Sequence, residues 1–586
     1  MTENYLSDLQ LNALKSNVQL IEAGPGSGKT RVVVERYRQV ASRPGSFAAL
    51  VSFTNSAVGE VRKRCATQPN LLQPPNFVGT FDAFFHRFVT TPSLLRAGRK
   101  QPQYVPSWDD LPDHWSRLRP PSGGAGIPLT AFEIATDGKY RIVEGRLSYL
   151  DSRTWKSMPS YAHAKLEDQA GTRHSALATA GIISADVART YALDVLHSAE
   201  GDRILELLQR RFSELIVDEF QDCNETEIQL LTLLRDRGVP VIAVADPDQA
   251  IYQFRQEESS DVYQKFREGV PDIAIAPLNE CHRSTQPICD VVTSLRNISA
   301  DSVVASSIAP TGSPHVYVLE GSKDQVLEKA NKVLQANDIS PQASRILAHR
   351  TKDARSLVHH QPTLKGASSA KSILDAIFEL RSRQATTHRL AALDTLGRVF
   401  VSAIDREDSK KLPSMADDLA ALGIEMGSLR LFSKRLVDSS RLWEGPDDYA
   451  SSLTSLITKG LAEFHLTPKP RLKTVYPKPN ADLWAHWVRQ VDGLFADHSL
   501  GWEWSNIHQV KGGEFDAVLL CVPAKAHPGS SHALDDWEQD VNSEQRRVLY
   551  VGASRAQRLL MFWPGASRQA QLLRIFERDG IPYLIT

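Results

Sequence analysis

The chain has 586 residues, which predicts roughly three to five domains rather than one hydrophobic core. Its 68 Lys and Arg residues nearly balance its 69 Asp and Glu residues, so a protein that holds polyanions through bulk charge is excluded and nucleic acid would need a local groove. Five cysteines without a CxxC pair argue against disulfides and against a zinc or iron–sulfur site. Because no signal peptide or membrane-length apolar run is present, we expect a cytoplasmic protein without membrane contact.

Apolar segments alternate with helix-length segments over the first hundred residues. Buried strands are predicted at 17–24 and 48–54, and helices at 29–41 and 56–66. This alternation is typical of a parallel, doubly wound α/β sheet. It stops near residue 95, where a polar stretch with the turn-rich sequence PSGGAGIP predicts an insert.

The alternation returns after residue 181 and continues in a second α/β unit from about residue 278. Predicted strands are 214–220, 239–246, 272–277, 315–321, 345–350, 505–510 and 516–522, and predicted helices are 227–238, 323–336 and 544–557. Residues 361–500 are mostly helical in pattern. We therefore predict an α/β protein with two sheet-containing units, each interrupted by an insert.

The octapeptide AGPGSGKT lies between the first predicted strand and helix and comprises Ala23, Gly24, Pro25, Gly26, Ser27, Gly28, Lys29 and Thr30. It fits the phosphate-binding loop, with alanine in the first position. Backbone N–H groups and the helix N-terminus would bind phosphate oxygens. Lys29 is expected to reach the β- and γ-phosphates, and the Thr30 hydroxyl to bind Mg²⁺.

A cluster of carboxylates follows the predicted strand that begins at residue 214. The apolar residues run directly into the sequence DEFQD, residues 218–222. P-loop ATPases need a carboxylate at the end of a neighbouring strand. Asp218 is the predicted magnesium ligand, acting through water, and Glu219 is predicted to orient and deprotonate the attacking water. Such a cluster alone is usually a solvated loop, but the apolar strand and the P-loop together favour catalysis.

The DEFQD sequence resembles the DExQD box of the UvrD/Rep/PcrA-like helicases of superfamily 1, and other motifs of that family follow in order. SFTN at 52–55 resembles motif Ia, GTF at 79–81 motif Ib, and DPDQAIYQFR at 246–255 motif III. LNECHRS at 278–284, IHQVKGGEF at 507–515 and RRVLYVGASRA at 546–556 resemble motifs IV, V and VI. Two departures are Asp82 in place of the usual motif Ib histidine and His282 in place of a motif IV tyrosine.

The resemblance implies two RecA-like P-loop NTPase units with parallel sheets, each interrupted by a mostly helical insert. The expected boundaries are 1–95 and 181–277 for core 1A, 96–180 for a 1B-like insert, 278–360 and 501–586 for core 2A, and 361–500 for a divergent 2B-like insert. ATP and Mg²⁺ are the implied cofactors.

The resemblance also implies roles in the ATP site. Gln249 would sense the γ-phosphate, and Arg283 and Arg555 would act as arginine fingers when the second unit closes on the first. On the nucleoside side, the resemblance implies that Gln10 reads the adenine edge and that Glu514 contacts the sugar. His282 would stack on adenine more weakly than the family's tyrosine.

For single-stranded DNA, the resemblance implies base stacking on aromatic residues, since every base offers a π-face. The candidates are Phe53, Tyr252 and Phe254, although Phe53 and Phe254 could equally be core residues. Candidate contacts to the DNA backbone are Thr54, Thr80, Arg255, His508 and Lys511.

Two functions are compatible with these motifs. The first is an ATP-dependent helicase and translocase on single-stranded or tailed duplex DNA, moving 3′ to 5′ as the resemblance implies, in repair, replication or antiphage defence. The second is a DNA-activated ATPase that serves as sensor or motor beside a nuclease partner, as in Gabija systems. Because only about thirty residues follow motif VI in this sequence, we expect no nuclease domain in the chain. A purely structural DNA-binding protein would not need Lys29, Glu219 and Arg555 together, and RNA is less expected than DNA.

Overall fold

The computed structural model describes most of the chain in two compact units, Met1–Cys281 and His282–Thr586. The described residues are 6–119, 126–135, 139–147, 149–251, 259–296, 301–350, 353–354, 357, 369–381, 386–405, 424, 426–472, 476–481, 483–485, 487–488, 491, 502–526 and 530–586. Each unit contains one six-stranded sheet.

The first unit is built on a parallel sheet. Its strands are β1 (Leu20–Ala23), β2 (Ala48–Ser52), β3 (Phe77–Thr80), β4 (Glu214–Val217), β5 (Val241–Ala245) and β6 (Ile275–Leu278). Their spatial order is β6-β1-β5-β4-β2-β3, and every neighbouring pair is parallel. The strands are short apolar runs because both faces of the sheet are covered, and every residue of β2 and β5 is buried. The predicted parallel α/β architecture is confirmed.

Helices connect these strands and supply the core. They are Asp8–Asn12, Lys29–Ala41, Asn55–Arg64, Phe81–Phe85, Thr91–Arg96, Ala185–His197, Ala199–Arg211, Glu225–Asp236 and Ser259–Glu268. A π-helical turn, His86–Thr90, joins Phe81–Phe85 to Thr91–Arg96. Val33 and Tyr37, on the helix after β1, are fully buried with Ile21 and Leu50 of the sheet.

The segment from Gln103 to Ser184, between the helices Thr91–Arg96 and Ala185–His197, has a hydrophobic core of its own. Its helices are Asp113–Ser116, Tyr149–Lys156 and Ser160–Ala180, and its paired strands are Gln103–Val105 with Ile182–Ser184, Arg117–Leu118 with Ile127–Pro128, and Phe132–Ile134 with Tyr140–Ile142. Trp108, Ile127, Trp155 and Leu166 are buried together. The two antiparallel hairpins were not anticipated from the sequence, because each strand has only two or three residues.

The second unit has its own parallel sheet. Its strands are β7 (Val316–Val318), β8 (Ser344–Ala348), β9 (Glu503–Asn506), β10 (Phe515–Val522), β11 (Ala556–Pro564) and β12 (Tyr583–Ile585), in the order β9-β8-β10-β11-β7-β12. Its helices are Gln286–Leu295, Lys323–Ala336, Ala533–Glu538, Glu544–Ala553 and Gln569–Arg578. The described part of the 361–500 region is helical, with Ser369–Arg381, Thr386–Ser402, Met426–Ser439 and Pro446–Ala462 around a separate core.

Two predicted elements of the second unit were wrong in part. The strand predicted at 505–510 ends at Asn506, because the Asn506 side chain accepts a hydrogen bond from the Gln509 N–H at 2.9 Å and starts a 3₁₀ turn over Ile507–Val510. The helix predicted at 544–557 ends at Ala553, and β11 begins at Ala556. The Arg555 carbonyl already accepts from the Phe515 N–H, so the chain has joined the sheet by that point.

All five cysteines are buried thiols without a disulfide. Among the helices of the described ranges, none combines the length and the hydropathy that a membrane span requires.

Candidate functional site

The phosphate-binding loop leaves β1 and enters the helix Lys29–Ala41 as predicted from its sequence. Gly26 and Gly28 have φ angles of 70° and 81°, in the left-handed region that glycine tolerates best. The Ser27 hydroxyl donates to the Gly24 carbonyl at 2.8 Å, and the Gly24 N–H donates to the Leu278 carbonyl of β6 at 2.7 Å. The loop is therefore held in shape from within and fixed to the sheet.

Gln10 is part of this loop structure. It lies in the helix Asp8–Asn12, which Ser7 caps, and is 2% exposed. Its Nε2 donates to the Ser27 carbonyl at 2.9 Å, while its Oε1 accepts from the Ser7 N–H at 3.2 Å. Both ends of the amide thus have partners within the chain, and Gln10 supports the loop. Its role at the adenine edge stays a prediction.

Asp246, the first residue after β5, joins two predicted site residues. Its side chain is fully buried, and one oxygen, Oδ2, lies 3.5 Å from the Lys29 Nζ and 2.6 Å from the Gln249 Nε2. Asp246 was not among the predicted site residues. Its position was the available signal, because an acid at the carboxyl end of the strand next to β1 lies at the same sheet edge as the loop lysine.

The acidic box is held to the same edge. Gln221 donates from Nε2 to the Glu219 Oε2 at 2.5 Å and accepts from the Asp246 N–H at 3.0 Å. Glu219 has φ 57° and ψ 39°, a left-handed conformation that ends β4 and turns the chain into the short turn Phe220–Asp222. A strained non-glycine residue is common at active sites. Burial raises the pKa of Asp218 well above its usual range, and the negative charge of Glu219 adds to this effect.

The residues of this edge fit a magnesium ion. The predicted ligands, the Thr30 hydroxyl and the Asp218 carboxylate, are hard oxygen donors of the kind that Mg²⁺ prefers. Asp218 is 2% exposed, and its charge is opposed by Glu219 and Asp222 and favoured by Lys29. A divalent cation would supply the positive charge that this buried carboxylate needs when it is ionised.

Two of the predicted strand-contact residues cap helices at the ends of neighbouring strands. The Thr54 hydroxyl, after β2, accepts from the Ala57 N–H at 3.1 Å, and the Thr80 hydroxyl, at the end of β3, accepts from the Ala83 N–H at 3.2 Å. Phe53 is half-buried and stacks on Phe81 with ring centroids 5.4 Å apart. The DNA contacts predicted in motif III, at Tyr252, Phe254 and Arg255, lie outside the described residues.

In the second unit, motifs IV, V and VI meet around Arg283. Its Nε donates to the Glu514 Oε1 at 2.8 Å, and its Nη1 donates to the Ser554 carbonyl at 3.2 Å. The other Glu514 oxygen accepts from the Gln557 Nε2 at 3.0 Å. Three segments that are far apart in sequence thus share one hydrogen-bonded cluster, in which the predicted catalytic Arg283 and the predicted sugar contact Glu514 form an ion pair.

Arg555 is bound more deeply. It is 2% exposed, and its guanidinium donates to the Val551 carbonyl at 3.0 Å and to the Ser554 hydroxyl at 2.8 Å. His282 lies beside Arg283 in sequence, and its Nδ1 is 2.9 Å from the Ser306 hydroxyl. The proposed finger role of Arg555 and the proposed adenine role of His282 stay predictions.

The predicted DNA contacts His508 and Lys511 lie in and just after the turn Ile507–Val510. The His508 ring is 5.5 Å from the His349 ring, centroid to centroid. Burial lowers the pKa of His508 to about 4, and the positive charges of His349 and Lys511 act in the same direction. His508 is therefore neutral at physiological pH, and any contact that it makes to a phosphate is a neutral hydrogen bond.

Comparison with known proteins gives consistent matches. A family model of the UvrD/REP helicase N-terminal domain matches residues 6–271, and one of the UvrD-like helicase C-terminal domain matches residues 503–563. The putative ATP-dependent DNA helicase YjcD of Bacillus subtilis (strain 168) is 24% identical over 94% of this chain and 77% of that protein. The ATP-dependent DNA helicase UvrD2 of Mycobacterium tuberculosis (strain H37Rv) is 23% identical, over 92% of this chain and 76% of its own length.

A third relative matches over a shorter span. DNA helicase II of Escherichia coli (strain K12) is 27% identical over 50% of this chain and 40% of that protein. The two family models together match more than half of the chain and include the P-loop, the acidic box and motifs V and VI. The chain therefore belongs to the UvrD/Rep/PcrA-like family of ATP-dependent DNA helicases.

Proposed function

We propose that this chain hydrolyses ATP to move 3′ to 5′ along single-stranded DNA and thereby unwinds tailed duplexes. The observation that carries the proposal is the order of residues along one sheet edge. The ends of β1, β5 and β4 carry the P-loop, Asp246 and the acidic box, and the adjoining ends of β2 and β3 carry Thr54 and Thr80. In parallel α/β sheets, ligands bind at the carboxyl ends of the strands. This edge can therefore bind nucleotide on one half and a DNA strand on the other.

The first unit supplies the groups for hydrolysis. Lys29 leaves Asp246 for the β- and γ-phosphates, since the salt-bridge distance of 3.5 Å is long and the phosphates carry more charge. Bound Mg²⁺, held by Thr30 and Asp218, would neutralise the charge on the phosphate oxygens. Glu219 takes a proton from the attacking water. The Gln221 Nε2 donates to the Glu219 Oε2 and so fixes the orientation of the Glu219 carboxylate.

Gln249 reports the nucleotide state in this proposal. Its Nε2 shares the Asp246 Oδ2 with Lys29. When Lys29 moves to phosphate, Gln249 becomes the main side-chain donor to that oxygen or turns to the γ-phosphate itself. In either case the start of motif III responds to ATP. Arg283 and Arg555 supply further positive charge to the γ-phosphate during hydrolysis.

DNA contact in the first unit relies on the two threonines. Each hydroxyl oxygen already accepts a backbone hydrogen bond, which fixes its position, and its O–H can donate to a phosphate oxygen. Such contacts carry no sequence information, as expected of a protein that must move along any strand. Phe53, half-buried on Phe81, is the described candidate for base stacking.

ATPase rates without nucleic acid and with single-stranded DNA, duplex DNA or RNA test this proposal. We expect single-stranded DNA to give the largest stimulation. Strand displacement on duplexes with a 3′ or a 5′ tail then tests polarity, with displacement expected from the 3′ tail, and Lys29→Ala is the control for contaminating activity. No stimulation by any nucleic acid would contradict the proposal. Stimulation without displacement would instead favour a DNA-activated ATPase that works beside a nuclease.

A further inference from the structure

A partly buried ion-pair bridge in the first unit connects the end of β3 to the turn after the acidic box. We propose that this bridge, formed by Asp82, Arg189 and Glu227, transmits strand binding at Thr80 to the residues that activate water. Asp82 and Arg189 are then positioning residues for DNA-stimulated hydrolysis. The inference rests on the proposed function and deepens it.

The bridge is geometrically well defined. The Arg189 guanidinium binds Asp82 with two parallel hydrogen bonds, Nε to Oδ1 at 2.8 Å and Nη2 to Oδ2 at 2.9 Å. The same Nε lies 3.1 Å from the Glu227 Oε1. The Arg189 and Glu227 side chains are 17% and 4% exposed. Bidentate arginine–carboxylate pairs fix orientation as well as distance, so a shift of Asp82 must move Arg189.

Each end of the bridge is attached to a site element. Asp82 lies in the first turn of the helix Phe81–Phe85, which Thr80 caps. At the other end, Glu227 accepts from the Asn224 N–H at 2.8 Å through Oε2, and Asn224 accepts from the Glu227 N–H at 2.9 Å. Asn224 follows the acidic box by two residues. Arg189 thus holds the carboxylate that fixes the turn immediately after Glu219 and Gln221.

The bridge is expected to add little net stability. Its charges are partly buried, and desolvation offsets much of the attraction in such a pair. Burial raises the pKa of Glu227 to about 7 against the opposing effect of Arg189. Arg189 therefore favours the charged form of the carboxylate that also fixes the Asn224 turn. A displaced Asp82 can change the turn after the box without unfolding the unit.

The chain offers a matched control for this bridge. The Arg189 Nη1 also donates to the Asp186 Oδ1, at 3.0 Å. Asp186, however, lies on the same helix as Arg189, and its side chain is 82% exposed. Asp82→Asn and Asp186→Asn therefore each remove one carboxylate charge from the same guanidinium. In the full chain, Asp82→Asn should lower the DNA-stimulated kcat by about tenfold, within the range of measured coupling between sites. Basal ATPase, KM for ATP and melting temperature should stay close to those of Asp186→Asn, and Asp82→Glu should recover part of the stimulation.

Three outcomes would overturn the inference alone. In the first, DNA stimulates Asp82→Asn and Asp186→Asn equally. In the second, the basal and stimulated rates of Asp82→Asn fall in parallel, with a large loss of melting temperature. In the third, Asp82→Asn binds single-stranded DNA more weakly but has a normal kcat at saturating DNA. The second outcome indicates a structural role and the third a direct DNA contact. A parent protein without any DNA stimulation would overturn the proposed function, and this inference with it.

Discussion

The contact between Gly28 and Gln10 makes the phosphate-binding loop sensitive to one methyl group. A Cβ built on Gly28, at φ +81°, would lie 2.6 Å from the Gln10 Nε2. The left-handed conformation costs a non-glycine residue about 1–2 kcal/mol. Displacing Gln10 also breaks its 2.9 Å hydrogen bond to the Ser27 carbonyl, a loss of about 1 kcal/mol. The free loop can relax, but ATP requires the original conformation, so Gly28→Ala should weaken ATP binding by roughly 30- to 150-fold.

A double-mutant cycle isolates the contact from the backbone strain. Gln10→Ala alone loses the hydrogen bond to Ser27, and Gly28→Ala loses the same bond together with about 1–2 kcal/mol of strain. The double variant should therefore bind ATP no more weakly than Gly28→Ala, with a coupling energy of about 1 kcal/mol. Titrating GTP beside ATP separates this effect from any contact of Gln10 with adenine, because the loop binds the phosphates of both nucleotides.

Gly45→Ala is the control, since Gly45 has φ +74° and nothing within 4 Å of a Cβ built there. It should cost stability of the same order as the strain in Gly28→Ala and leave ATP affinity unchanged. Binding of ATP is measured by isothermal titration, and stability by thermal unfolding. Strictly additive losses in the cycle, or normal ATP affinity in Gly28→Ala, would refute the described packing of Gln10 on the loop.

Three further substitutions test the catalytic assignments. Lys29→Ala should abolish ATP turnover, measured by phosphate release, because the lysine charge on the β- and γ-phosphates has no substitute. Glu219→Gln should still bind ATP and single-stranded DNA while kcat falls by about 10²- to 10⁴-fold, the usual contribution of a general base; loss of nucleotide binding would indicate a structural role. Arg555→Ala should lower kcat by about 10³-fold or more with little change in KM, and because its guanidinium is 2% exposed and hydrogen-bonded to the Val551 carbonyl it should also lower the melting temperature. A normal kcat would leave Arg283 as the remaining candidate.

Local patterns predicted the fold where each element carries its own signals. The helices over 29–41 and 323–336 have the predicted bounds, since Gly28 and Ser322 precede them as caps and apolar residues face the sheet at helical spacing. Bounds set by contacts distant in sequence were wrong. The helix predicted to reach 557 ends at Ala553 because the Arg555 carbonyl pairs with Phe515, about forty residues earlier in the chain.

The same distinction applies to the site. The P-loop is one continuous stretch of sequence, and so is the acidic box. The residues of each could therefore be named from their local spacing. Asp246 and the Asp82–Arg189 pair could not, because Lys29 meets Asp246 across 217 positions and Arg189 meets Asp82 across 107. No local pattern distinguishes an arginine that will bind a half-buried aspartate from one on a solvated helix face.

We propose that ATP binding and DNA binding are coupled in this chain by two routes that leave one sheet edge. The first begins at Asp246, where Lys29 and Gln249 share the Oδ2, so that phosphate binding must alter the hydrogen bonding of Gln249. The second is the proposed bridge from Thr80 through Arg189 to the Asn224 turn. In this proposal, the first route links nucleotide binding to the start of motif III, and the second links strand binding to Glu219. Because the two routes have no residue in common, Asp82→Asn should reduce stimulation by DNA while leaving the ATP-dependent change at Gln249 intact.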